Sequence, residues 1–268
     1  MWKTLCFAFL SALAAPLMAE TQRVEGLEFD AVLVYGDVEV EISQGDSREL
    51  LIRGDRDDLD KRPFLVEDGS LVLGFSRDHR RENFSGVKFR LVTPTLDHLE
   101  LKGSGDVYVT PLRIDDLFVS VGGSGRVRLF ELRGDDLTLQ MSGSGAIQAA
   151  ELDVRDLTIS LSGSGDVQLG ALAAEAVEVS LRGSGDVSLA DGGAIRDLEA
   201  NIVGSGDIDL RGLDTVSAEI NIVGSGDARI GEVEELEVNI LGSGDVVFRG
   251  NPEIEQTVLG SGDLRNER

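Results

Sequence analysis

The chain has 268 residues, with 49 Asp and Glu against 25 Lys and Arg and a formal net charge of −24. Such a surface repels phosphate backbones and anionic headgroups, which argues against nucleic acid and acidic membranes as partners. Hydrophobic residues at 41% supply enough apolar surface to fold, while 33 glycines and few aromatics point to tight turns around a slim aliphatic core.

Residues 1–19 read as a secretory signal peptide. Lys3 gives a positive start, Leu5 to Leu13 a short apolar stretch, and Ala14 to Ala19 a small-residue end with cleavage expected after Ala19. The stretch is too short to span a membrane, and no later stretch approaches that length. The single cysteine, Cys6, lies inside it, so the mature chain is expected to carry no disulfide. Export to the periplasm, the outer surface or the medium follows.

Residues 20–95 read as an irregular N-terminal β cap. Val38-Glu39-Val40-Glu41-Ile42 and Val87-Lys88-Phe89-Arg90-Leu91 alternate apolar and charged residues, as half-buried strands do. Asp68-Gly69 between Phe64-Leu65-Val66 and Leu71-Val72-Leu73 is a hairpin signal. Arg56 to Pro63 reads as a polar loop. Tyr35-Gly36-Asp37-Val38 is a worn copy of the phrase that follows, which places the cap in the same domain as the repeats.

Residues 96–268 repeat Gly-Ser-Gly, starting at Gly103, Gly123, Gly143, Gly163, Gly183, Gly204, Gly224, Gly242 and Gly260. A period near 20 marks a stack of like units. Around each phrase the apolar residues fall on alternate positions, as in Leu101, Val107 and Val109 or Leu161, Val167 and Leu169. That is strand periodicity. A unit this small cannot bury a face alone, but parallel stacking buries it and pairs the backbone. The expected fold is all-β: a right-handed parallel β-helix of about 20 residues per coil.

Two columns beside the phrase bear on chemistry. Asp166, Asp186, Asp207, Asp227 and Asp245 fall one above another, with Asp106 and Asp263 at the ends. Carboxylates about 4.8 Å apart repel by about 1 kcal/mol per pair in water. Either turn hydrogen bonding or a bridging Ca²⁺ ladder could offset this, and both readings stand open. Three residues before the phrase, Asn201, Asn221 and Asn239 are placed to form an amide ladder or to meet sugar. No other cofactor is expected. A ladder of identical acids has no distinct acid and base, so no catalytic residues are assigned. His79 and His98 have no metal-ligand neighbours in sequence. Arg77, His79, Arg80 and Arg81 form the basic cluster of an acidic chain. They read as an exposed loop or as a partner contact, including one with another copy's acidic ladder.

The opening Phe29-Asp30-Ala31-Val32-Leu33-Val34, the Asp68-Gly69 hairpin, the Thr93-Pro94-Thr95-Leu96 entry and the repeated Gly-Ser-Gly-Asp-Val together resemble the GIN-type domain family, described as an autotransporter adhesin head of the bacterial envelope. The resemblance implies a β-helix, export and surface adhesion, and supplies no catalytic or ligand residues. No translocator barrel follows the repeats before Arg268, so self-export is not expected and the periplasm is a possible destination. The reading is a non-enzymatic exported envelope scaffold, with adhesion as its role and a glycan or another envelope protein as partner. Alternatives are a polysaccharide-acting β-helix enzyme and a structural protein self-associating through its solenoid ends.

Overall fold

A computed structural model describes residues 20–267; the expected signal peptide, with Cys6, lies outside the described residues, as does Arg268. The protein is nearly all-β, a solenoid of about eight turns. Among the described residues, 21 strands form one continuous hydrogen-bonded sheet and Arg56–Asp60 is the one α-helix. No helix among these residues is long and apolar enough to cross a membrane.

Residues one period apart lie over one another in parallel register. Gly143 pairs with Gly163, Gly183 with Gly204 and Gly224 with Gly242. Each coil has three straight stretches, here called sides. In the second repeat these are Arg126 to Leu129, Leu132 to Gly134 and Leu137 to Met141, and burial alternates along each. Their inward residues form one aliphatic core running along the rod, including Val127, Leu132, Leu139 and Met141 and, in the coil above, Ile147, Leu152, Ile159 and Leu161. Period changes are absorbed away from the phrase. The 18-residue step after Gly224 appears between Ile230, which pairs with Leu210, and Val233, which pairs with Thr215, while the third side continues in register from Glu235 to Gly242.

The Gly-Ser-Gly corner is where stacked backbones come closest. A Cβ on Gly204 would lie 2.3 Å from the carbonyl oxygen of Gly183 directly below, and the backbone there has φ +136°. Gly206 is barred by contact alone, because its Cβ would meet the carbonyl of Gly185 at 2.0 Å. The serine between them is exposed in every copy, and its amide donates to the carbonyl of the first glycine one coil below, as from Ser205 to Gly183 at 2.9 Å.

The N-terminal cap belongs to the same stack. Strand Ala31–Gly36 pairs in parallel with His98–Gly103, setting Gly36 under Gly103. Strand Glu39–Gln44 pairs in the same way with Asp106–Val109. The chain then passes beneath this coil. Ser70–Leu73 and Lys88–Thr93 pair in parallel with its underside, and Gly74 lies beneath Tyr35, where a Cβ would meet the Tyr35 carbonyl oxygen at 2.1 Å. The antiparallel strands Phe64–Glu67 and Glu20–Glu25 close this end. The hairpin forms where expected, with positive φ at both Asp68 and Gly69 as a two-residue turn requires. The expected polar loop 56–63 instead holds the short helix Arg56–Asp60. Asp57 and Asp58 in its first turn suit a helix N-terminus, and buried Leu59 anchors it.

The corner predicts a sharp contrast. Gly204→Ala forces a Cβ into fixed backbone at positive φ and should lower stability by more than about 2 kcal/mol, whereas its exposed neighbour Ser205→Ala should stay within about 0.5 kcal/mol. Urea melts of the two variants measure the difference, and equal midpoints would contradict the packing described.

Candidate functional site: the outward columns

With the inward residues consumed by the core, chemistry is left to the outward columns. In the aspartate column, each carboxylate from Asp166 to Asp245 accepts the backbone amide of the aspartate one coil above. The Oδ1 atoms of Asp186, Asp207, Asp227 and Asp245 receive the N–H groups of Asp207, Asp227, Asp245 and Asp263, all at 2.9 Å. Asp166 receives Asp186 more weakly at 3.4 Å. Where the column holds Arg126 or Ala146, the amide above turns to a glycine carbonyl instead, as from Asp166 to Gly145 at 3.2 Å. An amide bond to a carboxylate contributes roughly 1.5–3 kcal/mol, more than the repulsion of about 1 kcal/mol per neighbouring pair. Arginines reduce that repulsion further. Arg229 reaches both Asp207 and Asp227, and Arg265 both Asp245 and Asp263. The aspartates are thus tied by hydrogen bonds between successive coils rather than within a turn. No group of three or more His, Cys, Asp or Glu side chains arranged to hold a metal occurs among the described residues.

On the third side of the later coils, three outward columns run together. Asn221 donates to Asn201 and Asn239 to Asn221, at 3.0 and 3.1 Å, which makes the amide ladder. Each of these asparagines also donates to the glutamate two residues earlier: Asn201 to Glu199, Asn221 to Glu219 and Asn239 to Glu237. The second and third amides are thereby used up, and the ladder positions the glutamates. Sequence reading missed these glutamates, although the recurring Glu-x-Asn at 199–201, 219–221 and 237–239 was there to be counted. They line a lengthwise groove with Glu178 and Asp197, continued by Glu235, Glu253 and Glu255. Among the described residues, Glu199, Glu219 and Glu237 form no ion pair with Lys or Arg. Beside the asparagines stands an exposed aliphatic stripe, Val203, Val223, Leu241 and Leu259, stacked coil on coil.

The earlier coils carry different outward chemistry. Arg155 bridges Asp135, Asp136 and Asp156, which holds its guanidinium even more firmly charged than usual. Asp116 lies outside that bridge. Desolvation, with Asp136 as the next cause, pushes its carboxyl above the ordinary range. Arg211 does the opposite to Asp209, holding it low through a side-chain hydrogen bond. His98 stacks on Phe118, with ring centroids 5.0 Å apart.

The basic cluster is an insertion at the corner between Ser70–Leu73 and Lys88–Thr93. Ser76, bonded to the carbonyl of Lys61, and buried Phe84 pin its two ends. Arg77 pairs with Glu67 at 2.8 Å. His79, Arg80 and Arg81 are exposed, and among the described residues none pairs with a carboxylate. The Asp and Arg clusters therefore stand apart within one chain, at opposite ends of the same corner line.

A parallel β-solenoid with a regular core and long outward ladders defines an extended, repeat-built scaffold. Residues 28–196 and 188–252 match the family described as "Putative auto-transporter adhesin, head GIN domain", and the chain belongs to that family. Solved structures share the fold. One is a "putative lipid binding protein" from Parabacteroides distasonis, with TM-score 0.70 and 24% identity, covering 93% of this chain and 97% of that one. Another is a "putative adhesin" from Parabacteroides merdae, with TM-score 0.67 and 20% identity, covering 93% and 96%. A second "putative adhesin" from P. distasonis has TM-score 0.70 and 19% identity, covering 94% and 98%. Among curated proteins there is no match.

Two outcomes test the columns. Asp227→Ala leaves the Asp245 amide without its carboxylate and should cost about 1–2 kcal/mol in a urea melt, with Asp227→Asn costing less because an acceptor remains. Because the folded pKa of Asp116 is raised, its charged form costs stability at neutral pH, and that cost fades as pH falls through the raised value. Asp116→Asn should therefore melt higher than the parent at pH 7, with the gain vanishing towards pH 3.

Proposed function

We propose that this chain is an exported, non-enzymatic binding scaffold of the bacterial envelope, adhesive in role, whose contact surface is the third side of the later coils. The observation that carries the reading is the repetition there of one outward set, glutamate, asparagine and aliphatic residue, over the coils containing Glu199, Glu219 and Glu237. Family membership supports the adhesive role and the export.

The chemistry of the set indicates a ligand class. The glutamates only accept hydrogen bonds, so they suit hydroxyl or ammonium donors. The aliphatic stripe suits the C–H faces of sugar rings. The acid surface disfavours acidic polysaccharides. A neutral or amino-sugar glycan fits all three, and equivalent subsites on successive coils add avidity for a polymer. The repetition also supports binding over turnover, because equivalent carboxylates in equivalent settings do not divide into acid and base.

A glycan array probed with and without calcium tests this. Binding to a subset of neutral or amino-sugar glycans is expected. It should be insensitive to chelator and weakened at least tenfold by the triple change Glu199→Ala, Glu219→Ala, Glu237→Ala. Release of product from any polysaccharide in a panel would overturn the non-enzymatic reading, and absence of glycan binding would overturn the choice of ligand.

A further inference from the structure

We propose that copies of this chain stack head to tail, the N-terminal cap of one seated on the open C-terminal coil of the next. The C-terminal end provides the first observation. Residues Glu253 to Gly260 of strand Val246–Gly260, and strand Leu264–Asn266, pair on one edge only among the described residues, which leaves a row of backbone donors and acceptors open. The inward side chains of this coil are uncovered. Ile254 is 46% exposed and Val258 36%, whereas Leu236 and Ile240, their equivalents one coil below, are 1% and 2% exposed. The aliphatic stripe runs onto the same end at Leu259, 63% exposed. The aspartate ladder is also unfinished there. Every carboxylate from Asp166 to Asp245 receives an amide from the coil above, while Asp263 meets only Arg265.

The opposite end offers what this one lacks. Its terminal edges are Phe64–Glu67, in line with the third side, and Glu20–Glu25, in line with the first. These are the two sides whose strands end openly at the other pole. Val66 on the first of these edges is exposed. The basic insertion lies at the Gly-Ser-Gly corner, since the strands that it joins, Ser70–Leu73 and Lys88–Thr93, lie beneath Ala31–Gly36 and Glu39–Gln44, and Gly36 lies beneath Gly103. Stacking one copy on the next would therefore bring His79, Arg80 and Arg81 to the corner that carries Asp245 and Asp263. Asp78 and Glu82 flank these cations, and Glu82 is already held by Lys61.

Charge selects this partner and this polarity. A tail-to-tail pair would set Glu253, Glu255, Asp263 and Glu267 against their own copies, whereas the head-to-tail arrangement sets Asp263 against the chain's exposed basic tip and Glu253 and Glu255 against the strand Phe64–Glu67. Such a contact is heterologous and does not close on itself, so it builds open filaments rather than dimers.

Sedimentation velocity and directed cross-linking of the purified protein test this. The mass average should rise past dimer with concentration and fall between about 0.05 and about 0.5 M NaCl, as screening weakens the contact. The exposed double change Arg80→Glu, Arg81→Glu should reduce association at least tenfold at an unchanged melting point, as should Ile254→Lys at the other end. The described residues contain no cysteine, so Arg80→Cys and Asp263→Cys can be made singly. Oxidising their mixture should give a cross-linked species that neither variant gives alone. A monomer at every concentration, a dimer that grows no further, or equal cross-linking in either variant alone would each overturn the proposal.

Discussion

Each coil must turn its corner with its backbone in contact with the corner below. A Cβ on the first glycine of any repeat from Gly103 onward would lie 1.9–2.5 Å from the carbonyl beneath it. No side-chain adjustment relieves that, because the obstructing atom is itself part of the ladder. The corner therefore fixes the register of the stack, and a fixed register is what turns isolated residues into columns. Length variation confirms which part is rigid: a repeat can lose two residues between its first and second sides while its glycines and third side stay aligned.

Once columns exist, like residues are forced together, and the chain has to manage the result. Inside, this favours the core, because aliphatic side chains stack on aliphatic side chains. Outside, it would set acid on acid. The chain answers differently in each column. The corner aspartates spend a lone pair on the next backbone amide and share arginines that span two coils. The glutamates of the third side are steadied by asparagine amides and have no cationic partner among the described residues. The first column is used up by the fold, and the second is left available.

Much of this was legible in the sequence. The spacing of the phrases gave the stack, the alternation gave the inward residues, and Tyr35-Gly36-Asp37-Val38 marked the cap as part of the same rod. Two things were not legible. The chain doubles back beneath the coil of Ala31–Gly36 before rising again. Order in sequence does not reveal that, since Ser70–Leu73 reads like any other strand. The division of labour among the acids was also hidden. Asp227 and Glu219 look alike as charges, and only the path of the backbone amide shows that one is committed and the other free. The glutamate column was countable but inconspicuous, because it sits away from the phrase that draws the eye.

The same regularity bears on what the surface can do. In a stacked column, each carboxylate sees nearly what its neighbours see, as where Asp207, Asp227 and Asp245 each accept one amide at 2.9 Å. Distinct environments arise where the column is interrupted or ends. Asp116 is raised beside the cluster that Arg155 bridges, and Asp263 lacks the amide that completes every aspartate of its column from Asp166 to Asp245. The middle of the rod is therefore suited to repeated, equivalent contacts, and its poles to contacts made once. A ladder that passes each amide to the carboxylate below has a direction, so it leaves an unfilled acceptor at Asp263, while the cations of the other pole are set there by the insertion between Ser70–Leu73 and Lys88–Thr93.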